Sequence, residues 1–403
     1  MAVSESPLPL LHPVPGIRIG VVEAAVRKSG SNDLVVMALD EGSRVAGVFT
    51  RNLFRAAPVR FAEAHLRDDD PRYLLINTGN ANAGTGEAGD RAVWQNCAAL
   101  AERTGCRPTQ VIPFSTGVIG EPLPADRIDA ALPAAIDALH ADHWASAADA
   151  IRTTDTRAKG RSLRLELSGG TVTLTGIAKG SGMIRPDMAT MLAYIATDAV
   201  IDTAGLRRLL RDAVAVSFNR ITVDGDTSTN DACTLVATSA SGVSLADASD
   251  RERFLEALTT MCTALAKEIV ADGEGATRDV AIRVAGAQTI AEAERVGFTV
   301  AESPLVKTAL FAADPNWGRI LAAVGRAGIR DLDVERVRIH IGDCPIVEDG
   351  GLSPRYDESA AAACMAADHV GITIDLDRGH EVATVWTCDF SYDYVRINAE
   401  YRS

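Results

Sequence analysis

The sequence predicts a mixed α/β fold arranged in layers, and three observations lead to that prediction. Short apolar runs bounded by glycine- and asparagine-containing turns recur along the chain, which is typical of buried strands. Longer segments between them carry apolar residues at helical spacing. The 403 residues are enough for one large or two smaller domains, but no Pro/Gly/Ser linker is long enough to separate independent units. These elements are therefore expected to share layers.

The first half of the chain alternates predicted strands and helices. Strands are predicted at 17–19, 34–38, 45–50, 73–77 and 111–115, and helices at 90–104, 124–140 and 142–152. Ala92, Val93, Cys97 and Leu100 fall on one face of the helix at 90–104. A hairpin over 163–175 is expected to turn at Gly169-Gly170.

The second half begins with an apolar strand at 191–196. A helix at 204–216 and strands at 221–223 and 232–238 follow, and the clearest helical periodicity of the chain covers 251–271. For the last third, strands are predicted at 279–284, 337–341, 370–376, 382–388 and 394–400, and helices near 316–326 and 358–367.

The composition is that of an ordinary soluble globule, with 47% hydrophobic and 23% charged residues. A formal net charge of −14 gives no general attraction to nucleic acid or to an anionic membrane, so an anionic substrate would have to meet local cations. The 7 cysteines lack CxxC spacing, which favours free thiols in a reducing compartment. The sequence shows neither a membrane-length apolar run nor signal-peptide features near Met1, and we expect a cytoplasmic protein.

Three patterns that could indicate a bound group are incomplete. The glycines of 84–89 match G-x-G-x-x-G but lie too far beyond the preceding strand for a dinucleotide loop. The loop from Asp224 has Thr229 and Leu235 where a calcium loop has glycine and glutamate. His140 and His143 lack a third ligand. We expect neither a metal nor a cofactor.

The stretch 179–198 is the most informative part of the chain. Gly180, Gly182 and Pro186 indicate a bent, rigid backbone that leads into the apolar strand, and Thr190 stands at the junction after Ala189. One alternative is that Thr190 is a β-branched residue that simply suits a strand. The other is that its hydroxyl attacks the Ala189 carbonyl, the chain is cleaved, and the freed threonine amine acts as a base.

The segment KGSGMIRPDMATMLAYIATDA, residues 179–199, resembles the signature of the ornithine acetyltransferase family, which combines glutamate N-acetyltransferase and amino-acid acetyltransferase activities. Further segments resemble family motifs in the same order along nearly the whole chain: Ser115–Glu121, Thr153–Thr156, Asp224–Asp231, Gly273–Thr277, Asp314–Arg319 and Tyr394–Tyr401.

The resemblance implies a layered α/β sandwich of the DmpA and ornithine acetyltransferase type, similar to the N-terminal-nucleophile enzymes, with a smaller C-terminal α/β lobe at about 285–403. It implies cleavage between Ala189 and Thr190 into an α chain, 1–189, and a β chain, 190–403. Thr190 is then the nucleophile, and Thr116 and Gly117 form the oxyanion hole. The implied substrate contacts are Thr153, Lys179, Thr190, Glu274, Asn398 and Ser403. The family commonly ends in threonine; Ser403 keeps the hydroxyl and the terminal carboxylate.

The residues themselves suit acyl transfer but leave alternatives. A tetrahedral intermediate needs preorganised donors, which Thr116 and Gly117 offer, although Thr-Gly also makes ordinary turns. Lys179 offers a cation to a substrate carboxylate, and the alternative is a surface lysine. Glu274 offers an anion to a substrate ammonium, and the alternative is a solvated loop carboxylate.

By resemblance, the expected reaction moves an acetyl group from N-acetylornithine to glutamate through acetyl-Thr190, in arginine biosynthesis, and releases ornithine and N-acetylglutamate. Members of the family differ in whether they also accept acetyl-CoA, and the residues leave that point open. The family suggests a heterotetramer of two cleaved protomers. Two rival functions remain: an N-terminal-nucleophile aminopeptidase or amidase, and a non-enzymatic small-molecule binding protein.

Overall fold

The computed structural model describes residues 7–27, 30–185 and 191–400, and within them the chain forms three β-sheets flanked by helices. The first half contains β1 (Ile17–Val22), β2 (Leu34–Leu39), β3 (Arg44–Phe49), α1 (Ala57–Asp68), β4 (Tyr73–Asn80), α2 (Gly86–Thr104), β5 (Val111–Val118), α3 (Ala125–Asp137), α4 (Trp144–Ala150), β6 (Lys159–Leu167) and β7 (Gly170–Lys179). The second half contains β8 (Leu192–Thr197), α5 (Thr203–Ala215), β9 (Ala232–Ala237), α6 (Ala248–Ala271), β10 (Asp279–Ala287), α7 (Ile290–Ala301), α8 (Pro304–Phe311), α9 (Trp317–Gly325), β11 (Arg338–Ile341), β12 (Cys344–Glu348), β13 (Gly351–Leu352), α10 (Glu358–Met365), β14 (His369–Asp375), β15 (Glu381–Cys388) and α11 (Tyr392–Ala399).

Two of the sheets pack face to face and share a hydrophobic core. The first has the strand order β1-β2-β4-β5 and the second the order β3-β9-β8-β7-β6. Ile76 and Ile112 of the first sheet lie in the same buried cluster as Tyr194 and Val236 of the second. Helices α2 and α3 cover the outer face of the first sheet, and α5 and α6 cover the outer face of the second. The predicted layered α/β fold is therefore confirmed, with the layers in the order α/β/β/α.

Strand β8 explains why the sequence after Thr190 is a continuous apolar run. Because side chains alternate along a strand, Tyr194 and Ala196 face the first sheet, while Ala193 and Ile195 face α5 and α6. Both faces of this central strand are covered, and all of its residues are buried. It pairs with β7 in antiparallel fashion and with β9 in parallel fashion.

The third sheet lies in the C-terminal part of the chain and has its own hydrophobic core. Its strand order is β13-β12-β11-β14-β10-β15, and α7 and α9 contribute buried residues to its core. The predicted lobe at about 285–403 contains most of this sheet, although β10 begins at Asp279.

Most predicted elements are present, and two predictions were wrong. Residues 394–400 were predicted as a strand, but 394–399 belong to α11, which Ser391 caps by accepting the backbone N–H of Asp393 at 3.1 Å. Val395, Ile397 and Ala399 do alternate with polar residues in this segment. Residues 221–223 make only an isolated bridge, between Ile221 and Trp386. The elements that were not predicted are α1, α7, α8, β12 and β13.

Two expectations from composition can be compared with the structure. All seven cysteines are free, as expected: Cys97, Cys106, Cys233, Cys262, Cys344, Cys364 and Cys388. None of the described helices combines the length and the apolar character needed to cross a bilayer.

Candidate active site

A cavity of about 240 Å³ opens where β5, β7 and the start of β8 meet the loop before β9. The structure brings most of the predicted site residues to its wall: Thr116, Gly117, Thr153, Lys179, Glu274 and Asn398. Met191, the residue after Thr190, also lines it. The predicted cleavage pair Ala189 and Thr190 and the predicted contact Ser403 lie outside the described residues.

Thr116 and Gly117 are placed by the parallel pairing of β4 and β5, in which Gly117 lies opposite Gly79. Gly117 has a φ of 135°, and a Cβ atom there would lie 2.3 Å from the carbonyl carbon of Gly79. The position therefore requires glycine, both for its backbone conformation and for the close approach of the two strands. The result is a backbone without a side chain at the cavity wall beside the Thr116 hydroxyl.

Lys179, the last residue of β7, is only 8% exposed and points its ammonium group at two threonines of the cavity wall. Its Nζ donates to Thr153 Oγ1 at 2.9 Å and to Thr116 Oγ1 at 3.2 Å. Burial lowers the pKa of Lys179, and the nearby carboxylate of Asp155 partly offsets that effect. Lys179 is therefore not a surface lysine; it is a buried cation held within the site.

A buried cluster of charged residues, Asp155, Lys159 and Asp272, lies next to Lys179 and was not predicted from the sequence. Asp155 accepts from Lys159 Nζ at 2.7 Å, from the Gly180 N–H at 2.6 Å and from the Thr153 N–H at 3.1 Å. Burial raises the pKa of Asp155, but the charges of Lys159 and Lys179 lower it more, so the carboxyl is held ionised. Lys159 also donates to Asp272 at 2.6 Å. The sequence feature that could have pointed to Asp155 is its place inside the motif Thr153–Thr156.

Glu274 follows α6 and is 6% exposed, so it is not a solvated loop carboxylate. Asn398 of α11 donates to its Oε2 at 2.9 Å. The turn after β7 packs against it, since a Cβ atom on Gly182 would lie 2.4 Å from the Glu274 carboxyl carbon. The helical form of 392–399 thus has a direct consequence, because it brings Asn398 onto Glu274.

Asp231 is a second residue of the site that the sequence reasoning missed. It lines the cavity and is 3% exposed, and its Oδ2 atom has no hydrogen-bond partner in the described part of the chain. Burial raises its pKa well above the ordinary value, although Ser228 and the charge on Lys179 act in the opposite direction. Its neighbour Asn230 donates to the carbonyl oxygens of Ala81 and Ser115, at 2.6 and 2.9 Å, which ties this loop to the end of β5. The sequence feature that could have pointed to Asp231 is its place at the end of the motif Asp224–Asp231.

The cavity wall therefore combines a buried cation, Lys179, a buried carboxylate, Glu274, and the polar Thr116-Gly117 pair. Such a pair of opposite charges suits a small ligand that carries both a negative and a positive charge. Among the described residues, no group of three or more His, Cys, Asp or Glu side chains is arranged to hold a metal ion.

Comparison with known proteins decides the family. The model of the ArgJ family matches residues 18–403. The chain belongs to the ArgJ family. It is 52% identical to the arginine biosynthesis bifunctional protein ArgJ of Pseudomonas syringae pv. tomato and 51% identical to that of Pseudomonas fluorescens, in both cases over 100% of each chain.

A solved structure is also similar. The crystal structure of the arginine biosynthesis bifunctional protein ArgJ of Bacillus halodurans is 41% identical, covers 53% of this chain and 100% of its own, and superposes with a TM-score of 0.50. The family resemblance seen in the sequence is thus confirmed. This ArgJ chain is an acyltransferase of arginine biosynthesis.

Proposed function

We propose that this ArgJ chain moves an acetyl group from N-acetylornithine to glutamate through an ester of Thr190, after it has cleaved itself between Ala189 and Thr190. The observation that carries the proposal is the position of Met191. This residue is bonded directly to Thr190, and it lines the same cavity as Thr116, Gly117, Lys179 and Glu274.

The first step is maturation. The Thr190 hydroxyl oxygen attacks the Ala189 carbonyl carbon, the peptide C–N bond breaks, and the hydroxyl proton passes to the nitrogen, which leaves an ester. Water then hydrolyses the ester and produces the two fragments, 1–189 and 190–403. The extent of the Bacillus halodurans match supports this step: that chain covers 53% of this one, the share that residues 190–403 make up.

The second step is acetyl transfer in two halves. The Thr190 amine takes the hydroxyl proton, the oxygen attacks the acetyl carbonyl, and the oxyanion receives hydrogen bonds from the Thr116 hydroxyl and the Gly117 N–H. Because Lys179 donates to Thr116 Oγ1, that hydroxyl keeps its own hydrogen for the oxyanion. The C–N bond then breaks, and ornithine leaves with the proton. The amine of glutamate attacks the ester, and Thr190 regains its proton.

Substrate recognition follows from the two buried charges. We assign the α-carboxylate of both substrates to Lys179 and the Thr153 hydroxyl, and the side-chain ammonium of ornithine to Glu274 and Asn398. Ser403 stays a proposed contact. No cofactor takes part. Acetyl-CoA is tested as a second acetyl donor in the assay described next.

The test is an incubation of the purified protein with glutamate and N-acetylornithine labelled in its acetyl group. Labelled N-acetylglutamate is the expected product. Labelled free acetate without N-acetylglutamate would contradict the proposal and favour an amidase, in which water resolves the ester. A parallel reaction with acetyl-CoA in place of N-acetylornithine shows whether the enzyme accepts both donors.

Replacing Glu274 by glutamine is expected to raise the KM for N-acetylornithine roughly 10- to 100-fold, with a smaller effect on kcat. The reason is the loss of a charge-assisted hydrogen bond to the ornithine ammonium, about 1.5–3 kcal/mol. Steady-state kinetics provide the measurement. Glu268→Gln is the matched control, because Glu268 lies on α6 and pairs with Arg161 away from this cavity. An unchanged KM in the Glu274 variant would rule out the assignment.

We further propose that the two fragments stay associated and that two cleaved protomers form a heterotetramer. Size-exclusion chromatography with light scattering is expected to give twice the mass of the 42.5 kDa chain. Denaturing electrophoresis of the same peak should show two bands. A peak at the mass of one chain would contradict the assembly.

A further inference from the structure

The carboxylate of Glu274 lies directly against the turn that follows β7. A Cβ atom on Gly182 would lie 2.4 Å from the carboxyl carbon of Glu274 and 2.5 Å from each of its two oxygens. Such nearly equal distances place the position of that atom over the flat face of the carboxylate group. Carbon atoms in contact are about 3.5 Å or more apart, so no side chain fits between this turn and Glu274.

Space, and not backbone conformation, is what requires glycine at position 182. The φ of Gly182 lies outside the left-handed region, in contrast to the next residue, Met183, whose φ is 54°. Alanine can therefore adopt the backbone conformation of Gly182 without strain. The three atoms that its methyl group would approach most closely all belong to the Glu274 carboxylate, the end of a flexible side chain.

Backbone bonds hold this turn and Glu274 at a fixed spacing. The Glu274 N–H donates to the Ser181 carbonyl oxygen at 3.0 Å. The Ser181 hydroxyl donates in the other direction, to the carbonyl oxygen of Asp272 at 2.7 Å. The turn is thus tied to the end of α6 on both sides of Glu274, and the close approach of Gly182 to the carboxylate follows from the fold.

Helix α11 holds one edge of the same carboxylate. Asn398 Nδ2 donates to Glu274 Oε2 at 2.9 Å and to the carbonyl oxygen of Tyr394 at 3.0 Å. The start of the helix is bonded to the loop that carries Glu274, because Ser391 Oγ donates to the Gly275 carbonyl oxygen at 2.5 Å. With one face against a glycine and one oxygen bonded to Asn398, the carboxylate is restricted to one orientation.

The other oxygen of Glu274 is left for a ligand. Among the described residues, none donates a hydrogen bond to Oε1, and both Glu274 and Gly182 line the cavity. An ionised carboxylate oxygen only accepts hydrogen bonds, and an ammonium group is a strong donor to it.

We infer that Gly182 is a specificity-determining residue, because the space it leaves keeps Glu274 in the one position from which Oε1 binds the side-chain ammonium of the acetyl donor. The inference rests on the proposed function, in which that ammonium belongs to N-acetylornithine. A methyl group at position 182 would displace the carboxyl carbon by about 1 Å, the difference between 2.4 Å and an ordinary carbon contact. Misplacement of a positioning group by about 1 Å can cost about 100-fold in rate.

The test compares two acetyl donors that differ only in the ammonium group. N-acetylornithine carries it, and N-acetylnorvaline has the same carbon chain without it. The measured quantity is the ratio of their kcat/KM values, per cleaved site, with glutamate as the acceptor. Gly182→Ala is expected to lower this ratio roughly 10- to 100-fold, the effect of one charge-assisted hydrogen bond. The kcat/KM for N-acetylnorvaline should stay close to that of the wild type, which a general disturbance of the site would not allow.

A matched glycine and a double-mutant cycle provide the controls. Gly371 is an exposed residue of β14, and a Cβ atom on it would have no atom within 4 Å, so Gly371→Ala should leave the ratio unchanged. Glu274→Gln alone should lower the ratio by a factor similar to that of Gly182→Ala. Because both substitutions remove the same contact, the two together should lower it little more than either alone.

A shorter carboxylate shows whether the added methyl group acts through Glu274. Glu274→Asp shortens the side chain by one methylene group and leaves room for the methyl group. In that background Gly182→Ala should leave the ratio almost unchanged. If Gly182→Ala does not fold alone, its folding together with Glu274→Asp supports the inference, and a failure to fold in both backgrounds would overturn it.

The remaining outcomes separate this inference from the proposed function. A lowered ratio in Glu274→Gln with a wild-type ratio in Gly182→Ala would overturn only the role of Gly182. Equal losses from Gly182→Ala in the glutamate and aspartate backgrounds would also overturn it. A wild-type ratio in Glu274→Gln would refute the assignment of the ornithine ammonium to Glu274, and the inference with it.

Discussion

Thr190→Ala protein is expected to remain a single chain of 403 residues and to lose acetyl transfer almost completely. Alanine has no hydroxyl, so neither the ester shift at Ala189 nor the acetyl ester of Thr190 can form. Removal of a catalytic nucleophile lowers kcat by roughly 10⁶-fold in a well-studied acyl-transfer enzyme, and a loss of that order is expected here. Intact mass and the labelled-acetyl assay measure the two effects.

Thr190→Ser provides the matched control. Serine keeps the hydroxyl, so this variant should still cleave and turn over, at reduced rates. Two fragments, or turnover near the wild-type level, in the alanine variant would refute Thr190 as the nucleophile.

The residues of the candidate site were predicted from the sequence because the segments that carry them resemble family motifs. Lys179 and Glu274 each stand beside glycines, and Gly182, in the turn after Lys179, packs closely on the Glu274 carboxylate because it has no Cβ atom. Gly117 likewise lies near the end of the largely buried strand β5, at a point where only glycine fits. The resemblance therefore identified the segments, and the fold brings them to one cavity.

The elements that were predicted correctly are those with one dominant periodicity. The helix at 251–271 places Phe254, Leu258 and Leu265 on one buried face, and β8 is apolar on both faces because two layers cover it. The segment 394–400 failed because its alternating apolar residues are not buried. In α11 no residue is buried, so the alternation of apolar and polar residues does not reflect packing against a hydrophobic core.

The cluster of Asp155, Lys159 and Asp272 could not be predicted, because no pattern in the neighbouring sequence indicates that these residues contact one another. Lys159 meets Asp272 across 113 positions of sequence, through the contact between β6 and α6. A buried lysine has the same local sequence signature as an exposed one; only the three-dimensional packing distinguishes them. The same holds for Asp231, whose burial follows from the loop that precedes β9.

Lys159→Met is expected to lower the free energy of unfolding by roughly 3–5 kcal/mol at pH 7. The Lys159 ammonium is fully buried and bonds to the Asp155 and Asp272 carboxylates at 2.7 and 2.6 Å. Methionine fills similar volume but leaves two buried carboxylates without their shared cation, and an uncompensated buried charge is costly. Denaturant-induced unfolding, with the m-value checked for each protein, measures the change.

A surface lysine serves as the control that separates the effect of burial from the effect of charge. Lys267 is an exposed residue of α6, and Lys267→Met removes one positive charge from the surface. Its stability should stay within about 0.5 kcal/mol of the wild type. A Lys159 variant as stable as this control would show that the buried ion pairs contribute nothing net.

The stability difference between Lys159→Met and the wild type should also shrink as the pH falls. In the wild type the pKa of Asp155 is depressed, because the charges of Lys159 and Lys179 outweigh the effect of burial. Its contribution to stability is therefore present above the unfolded-state pKa of about 3.9 and is lost as the pH drops toward the folded value.

Without Lys159, burial is offset less, so the folded-state pKa of Asp155 rises from its depressed value. The variant therefore loses less stability than the wild type as the pH falls below about 3.9, and the two curves approach one another. Unfolding free energies measured at several pH values between about 2 and 5 provide the test. A constant difference over that range would mean that the deficit comes from packing around the substituted side chain and not from the two carboxylates.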